Sequence, residues 1–340
     1  MDKKIILQKV ADRIILEKDD SWGMNIEKFD WGPGIGLYGI WHAYEGTGEA
    51  RYLAFLEKWA ERHLKEAKDN LTVNSTAPLL TIEKLYEVTG EKKYGQICQE
   101  LAEYIINYAE KTKEGALGHT TVEKPDAFSD QIWADTMFMS CIFLAHLGKA
   151  MQETRYIQFA QEQLVLHYRY LWDEECSLFY HGWSNTLQNH LSGVHWGRAN
   201  AWMLCSTMEI LESGSDFEGR EEVIERFKKT TARLAELQRE NGLFGTVLDR
   251  EDSYEEASAS AGIACAMRKA QKAGYLGEEI TITIDKAVST LMMLVNERGE
   301  LTGVSGGTPI MPDVESYLKI TCYATLYGQG LMCMLLKESM

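Results

Sequence analysis

The sequence predicts an all-α protein, an (α/α)6 barrel in which six helical hairpins close into a ring. Three observations carry that expectation. The chain has only five prolines in 340 residues, and the stretches between them place apolar residues at three- and four-residue spacing, the period of a helix with one buried face. A segment also repeats. Tyr44-Glu-Gly-Thr-Gly-Glu-Ala-Arg-Tyr52 returns 42 residues later as Tyr86-Glu-Val-Thr-Gly-Glu-Lys-Lys-Tyr94, with a weaker echo at Gly148-Lys-Ala-Met-Gln-Glu-Thr-Arg-Tyr156. Finally, two kinds of helix alternate. One is rich in Gly, Ala, Leu, Met and aromatics with few charges; the other is amphipathic, which separates an inner from an outer layer.

Each copy of the repeat ends one helix at a Thr-Gly turn and starts the next, as expected of a glycine C-cap followed by a new N-terminus. Helical hairpins recurring at this length stack into solenoids or closed rings. The first helices of the six hairpins are expected to begin near Pro33, Pro78, Gln131, Arg198, Ser258 and Tyr317. Their amphipathic partners include Tyr52–Ala67, Lys93–Glu110 and Glu221–Glu240. No linker interrupts the pattern, so residues 1–340 read as a single domain.

Composition narrows the function. With 35 basic and 51 acidic residues the net charge is −16, and no basic cluster stands out, which argues against nucleic acid or an anionic membrane as partner. An anionic substrate would need a local basic pocket. The N-terminus lacks the apolar run of a signal peptide, and no stretch has the length of a membrane span, so a cytoplasmic location is expected. The seven cysteines are an odd, widely spaced set without a CxxC pair. They read as reduced thiols, and neither a metal nor a cofactor is expected. Oligomeric state leaves no mark in the sequence.

The loops leading into inner helices are long: Glu114–Asp130, Trp172–Gly197, Asn241–Glu256 and Arg298–Ser316. Polar and aromatic residues collect there, and long loops on one face of a rigid ring are where sites are built. The same face gathers helix N-termini, which favour anions. The stretch Phe128–Met139 stands out, because it sets one carboxylate, Asp135, in an apolar and aromatic run. Such a carboxylate caps a helix, pairs with a cation, or is held for proton transfer. Around it the expected wall comprises Trp31, Asn74, Trp133, Arg198 and Trp202, with Ser258, Ser260, Tyr317 and Thr321 behind. Aromatic faces with a few convergent polar groups suit sugar rings, and Arg198 is suited to a bidentate grip on a carboxylate. Each residue has a plainer reading: Trp133 and Trp202 as core aromatics, Arg198 as partner of an internal acid such as Asp135, Asn74 as an N-cap, His181 as a satisfied loop histidine.

Taken together, Gln131-Ile-Trp-Ala-Asp135-Thr-Met-Phe-Met139, Leu178-Phe-Tyr-His-Gly-Trp183, Trp196-Gly-Arg198-Ala-Asn-Ala-Trp202, Asn241-Gly-Leu-Phe244 and the Tyr-Glu-x-Thr-Gly-Glu turns resemble glycoside hydrolase family 105, the unsaturated rhamnogalacturonyl hydrolases, with the unsaturated glucuronyl hydrolases of family 88 as cousins. The resemblance covers nearly the whole chain. It implies an (α/α)6 barrel acting on small oligosaccharides that carry a 4,5-unsaturated uronyl residue, with Asp135 as acid/base and His181, Arg198, Trp133, Trp202 and His119 on the substrate. Where some members carry a second aspartate this chain has Asn74, so Asp135 would handle both proton steps. That scheme requires the apolar surroundings to raise the Asp135 pKa and Arg198 to stay out of a close pair with it. The alternatives are an unsaturated glucuronyl hydrolase on another polysaccharide, an epimerase or ordinary inverting glycosidase with a second titratable group facing Asp135, and a non-catalytic sugar-binding or scaffold toroid.

Overall fold

The computed structural model describes every residue except Met1, Asp19, Asn70, Pro125, Asp126 and Ser215. Pro125, one of the five prolines, therefore lies outside the described residues. The inner helices are α2 (Trp31–Thr47), α4 (Leu79–Thr89), a composite third helix, α9 (Gly197–Ser213), α11 (Ala257–Lys272) and α14 (Leu326–Glu338). The third runs without a break through α6 (Ala134–Thr136), a π-helical turn at Met137–Cys141 and α7 (Ile142–Met151). Each packs on the next, and α14 returns to α2 to close the ring. The outer layer is α1 (Lys3–Leu16), α3 (Ala50–His63), α5 (Lys92–Asn107), α8 (Thr154–Leu171), α10 (Arg220–Leu237) and α12 (Thr281–Leu294). A five-residue helix, α13 (Val314–Leu318), lies in the last long loop.

The repeated turns form as their chemistry dictates. Thr47 and Thr89 each donate a side-chain hydrogen bond back to the carbonyl four residues earlier, at 2.6 Å, and each accepts the N–H two residues ahead, at 3.2 Å. The next residues, Gly48 and Gly90, take φ of 74° and 68°, a region that costs glycine little. In the weaker copy Gln152 holds this position at φ 57°.

Two helix starts differ from expectation. The third inner helix begins at Ala134, because Gln131–Trp133 is a strand, β1, antiparallel to β4 (Gly182–Ser184) with Trp133 opposite Gly182. A smaller ribbon pairs β2 (Trp172–Asp173) with β3 (Leu178–Phe179). The sixth inner helix begins at Leu326, not near Tyr317, which sits in α13. Its N-cap is Thr325, whose hydroxyl accepts the Gly328 N–H at 3.0 Å. The sixth hairpin joins the two ends of the chain, since α14 packs on α1.

The ring closes through a glycine contact. A Cβ on Gly39 of α2 would lie 2.5 Å from the Gly330 Cα, and one on Gly330 of α14 would lie 2.2 Å from the Ile35 carbonyl oxygen. The far end of the ring, at the C-termini of the inner helices, is charged. His146 bridges Glu83 (3.1 Å) and Glu209 (3.0 Å), and Lys269 pairs with Glu209 at 2.6 Å. Cations at helix C-termini also favour the helix dipoles. The opposite end, where the inner helices start, holds the long loops.

Candidate active site

At the N-terminal end of the ring a cavity of about 250 Å³ is walled by Trp31, Asn74, His119, Phe128, Trp133, Asp135, Trp196, Arg198 and the segment Gly307–Pro309, with Met24, Thr121, Glu123 and Lys124 toward its rim. Five of the six inner helices deliver a residue through their first turn or the loop before it; α11 supports the wall from behind through Glu256 and Ser258. Trp31 opens α2 and stacks on Tyr327 of α14, with ring centroids 4.8 Å apart. Asn74 lies in the short turn Asn74–Thr76 before α4. It caps no helix there; its backbone N–H donates to the Thr120 carbonyl at 3.0 Å, and its side chain faces the cavity.

Asp135 is the second residue of its helix and looks across at His181, which follows β3. Asp135 Oδ2 and His181 Nε2 are 3.3 Å apart. Neither atom has a well-aligned hydrogen-bond partner, although both are buried. On its other side His181 Nδ1 lies 2.7 Å from Tyr317 Oη, which also accepts the Met311 N–H (3.2 Å). A neutral ring with its proton on Nε2 and Nδ1 accepting the Tyr317 hydroxyl would aim its N–H at Asp135. Trp133 flanks the pair, stacked on His119 at 4.3 Å and 7° and held by donation from its Nε1 to Gln131 Oε1 (2.8 Å). His119 Nδ1 contacts Thr136 Oγ1 at 3.0 Å.

The electrostatics reverse one expectation. Burial does push the Asp135 carboxyl up, but His181 beside it, then His119 and Arg198, outweigh burial and hold it below the ordinary value. The free site therefore holds a carboxylate beside neutral imidazoles. His181 is shifted down by burial against the pull of Asp135, and burial takes His119 down to about 4.

Arg198 does stay out of a close pair with Asp135; its acid is Glu256, at 3.7 Å. Its guanidinium lies between the Trp196 and Tyr327 rings, 4.3 and 4.8 Å from their centroids. Nη1 donates to Ser305 Oγ (2.7 Å), the Ser305 carbonyl (3.1 Å) and Ser258 Oγ (3.2 Å), and Nη2 to the Gly306 carbonyl (2.9 Å) and Thr308 Oγ1 (3.2 Å). Its terminal N–H groups are thus occupied in holding the loop before α14, so the expected bidentate grip on a ligand requires that loop to yield. Glu256 is the residue behind this arrangement. Wholly buried, it caps α11 by accepting the Ala259 N–H (2.6 Å) and also takes the Ser305 N–H (2.8 Å). Nothing in the sequence around Glu256 distinguishes it from the acidic residues beside it.

Trp202 is not brought to the wall. It is buried one turn into α9 against Phe138, at 4.6 Å, beneath the site. Nor is Asp135 the only carboxylate at the cavity. Glu123 sits at the rim, and behind it Asp30, which accepts the Trp31 N–H at 2.7 Å, is raised to about 6 by burial and by Glu123, against that hydrogen bond. Lys124 supplies a rim cation.

The profile of Glycosyl Hydrolase Family 88 matches residues 6–340. The chain belongs to that family. It is accordingly a glycoside hydrolase. Among the relatives it resembles is the unsaturated rhamnogalacturonyl hydrolase YesR of Bacillus subtilis (strain 168), 33% identical over 325 residues, spanning 94% of this chain and 90% of that protein. Two solved structures described as possible members of the GH105 family are each 29% identical over 99% of this chain. The one from Salmonella enterica serovar Paratyphi A has a TM-score of 0.93 over 93% of its length, the one from Klebsiella pneumoniae 0.94 over 92%. The (α/α)6 ring of family 88 hydrolases is thus the fold of this chain, and no helix among the described residues is long and apolar enough to cross a membrane.

Proposed function

We propose that this hydrolase removes a 4,5-unsaturated uronyl residue from the non-reducing end of lyase-generated oligosaccharides, with unsaturated galacturonyl-rhamnose as the preferred class, by hydrating the C4=C5 enol ether. The observation that carries the reading is Asp135 in the cavity wall, its Oδ2 3.3 Å from the buried His181 Nε2 and without a well-aligned hydrogen bond. The name of YesR supports the choice of substrate class.

In this scheme Asp135 delivers a proton to C4, and positive charge develops at C5 and the ring oxygen. Water adds at C5 and returns its proton to Asp135. The hemiketal opens and releases the neighbouring sugar, so atoms balance with one water consumed. The acid form must be created on binding. A uronate entering the cavity adds a negative charge and excludes water, and both raise the Asp135 pKa. The proton then sits on the Asp135–His181 pair, with Tyr317 fixing the imidazole. Asn74 cannot act as a base; it orients the water or a ring hydroxyl. Trp31, Trp133 and His119 offer flat faces to the sugar, and Arg198 contributes positive charge through the wall.

Loss of the enol-ether absorbance of a lyase-derived disaccharide tests the proposal. Asp135→Asn is expected to lower kcat by about 10²–10⁴-fold, the usual contribution of a positioned acid/base; turnover at the wild-type rate would sink the assignment. Glu123 at the rim favours a second reading, an ordinary two-carboxylate glycosidase. That reading requires cleavage of the saturated disaccharide, and its loss in Glu123→Gln.

A further inference from the structure

Next in the chain to Trp196 of the cavity wall, but not themselves lining it, Asp173, Cys176 and His195 converge. His195 Nε2 is 3.1 Å from Asp173 Oδ2 and 3.5 Å from Cys176 Sγ, and Sγ is 3.3 Å from the same Oδ2. From these three donor atoms and the residues behind them we infer that the chain binds a divalent transition metal of the zinc class, with Asp173, Cys176 and His195 as ligands and solvent in the fourth position.

The spacing is that of a metal's own ligands. Zinc bonded to sulfur at about 2.3 Å, nitrogen at about 2.0 Å and oxygen at about 2.0 Å in a tetrahedron sets those donors about 3.3–3.6 Å apart, close to what the free side chains already show. The surrounding groups fit as well. Asp249 Oδ2 lies 2.9 Å from His195 Nδ1. A proton on Nδ1 leaves the Nε2 lone pair facing the triangle, the carboxylate–histidine arrangement that orients metal-bound imidazoles. Asp173 is itself held, since Oδ2 accepts the Tyr180 hydroxyl (2.7 Å) and Oδ1 the Glu175 N–H (2.9 Å). The Tyr180 ring stacks on His195 at 4.5 Å. Cys176 is half-buried, so solvent reaches the open side. A thiolate, an imidazole and one carboxylate select zinc or cobalt over magnesium or calcium, which take oxygen ligands.

The donors come from the end of β2 (Asp173), the β2–β3 turn (Cys176) and the residue before Trp196 (His195), while Asp249 in the loop that precedes α11 holds His195 from behind. His195 stands 19 residues after Cys176, so only the fold completes the set, which is why the sequence led to the expectation of no metal. A bound ion ties these loops together next to His181 and Trp196, so its role is positional. The inference does not depend on the substrate assigned above, and its test does not read activity.

Full-length protein stripped with chelator and then titrated with Co²⁺ is expected to bind one equivalent. It should show tetrahedral ligand-field bands and a near-ultraviolet thiolate-to-cobalt charge-transfer band, with Zn²⁺ displacing both. The band disappears in Cys176→Ser and persists in Cys322→Ser, which removes the exposed thiol. Asp249→Asn retains all three ligands and binds about 10–100-fold more weakly. A titration without the charge-transfer band, or a band that survives Cys176→Ser, overturns the site and leaves His195 as an imidazolium flanked by two carboxylates. Should Cys176→Ser fail to fold, Asp249→Asn decides, and unchanged cobalt affinity there counts against the proposal.

Discussion

Asp135 shows how a residue's neighbours decide its role. Its own helix surrounds it with apolar groups that favour the neutral acid. His181 and His119, brought from other segments, favour the anion and prevail. The sign of the pH dependence follows. The free enzyme holds Asp135 deprotonated at neutral pH, so kcat/KM should rise as pH falls toward the carboxyl pKa. Replacing His181 with Asn removes the group that pulls the pKa down; burial then dominates, and the limb on which kcat/KM falls with rising pH should move to higher pH. An unmoved limb in His181→Asn would mean that His181 does not tune the acid. Asn74→Ala is expected to lose about tenfold or less in kcat, the worth of one hydrogen bond; a collapse matching Asp135→Asn would assign Asn74 a larger part. Two buried histidines also shape stability. Burial depresses His119 and His167 to about 4, below the value near 6.5 of the unfolded chain. Between those values the unfolded state binds more protons, so the stability they contribute is complete above pH 6.5 and declines as pH falls toward 4. Calorimetric Tm should drop over that window, less steeply in His167→Leu.

Among the elements, the α2–α14 contact and the charged far end of the ring hold separate parts of the closure. Because a Cβ at Gly330 would meet the Ile35 carbonyl at 2.2 Å, Gly330→Ala must push α14 away from α2 at the contact that closes the ring. The expected loss is about 1–3 kcal/mol, typical of overpacking, seen as a lower Tm with the cavity residues untouched. At the far end Glu209 receives both His146 and Lys269. Glu209→Ala leaves the buried Lys269 with only Glu212, at 3.1 Å, and His146 with only Glu83, so the loss should stay below the about 3–5 kcal/mol of a fully broken buried pair, read by denaturant unfolding; a neutral result would show that the remaining partners compensate. The two helix starts that differed from expectation have local causes. Trp133 opposite Gly182 makes a strand of a segment whose apolar content suited a helix equally well, and apolar content alone does not separate a short strand from a helical turn. Thr325, which caps α14, is one of several threonines in a loop where only the cap hydrogen bond shows which of them starts the helix.

Across the whole molecule, a chain of net charge −16 repels the uronate proposed as its substrate. Raising ionic strength from about 0.01 M to about 0.15 M shortens the screening length from about 30 Å to about 8 Å. The long-range repulsion is then screened while the wall contacts of the bound sugar remain, so kcat/KM for the anionic disaccharide should rise with salt. A fall would mean that the local cations, Arg198 and Lys124, dominate capture.

The ring itself was legible in the sequence, because its information is local. Helical periodicity, the Thr-Gly turns at Gly48 and Gly90, and the contrast of inner with outer helices all operate within a few residues, and Asp135 announces itself within its own run. What only the tertiary structure decided depends on residues far apart in the chain. Arg198 finds its acceptors on Ser305 and Gly306, Trp202 turns inward onto Phe138, and Cys176 meets His195 and Asp173. The charge state of Asp135 belongs with these. Local sequence measures the burial that raises its pKa, whereas the opposing fields fall off with distance through space, and only the folded ring sets those distances.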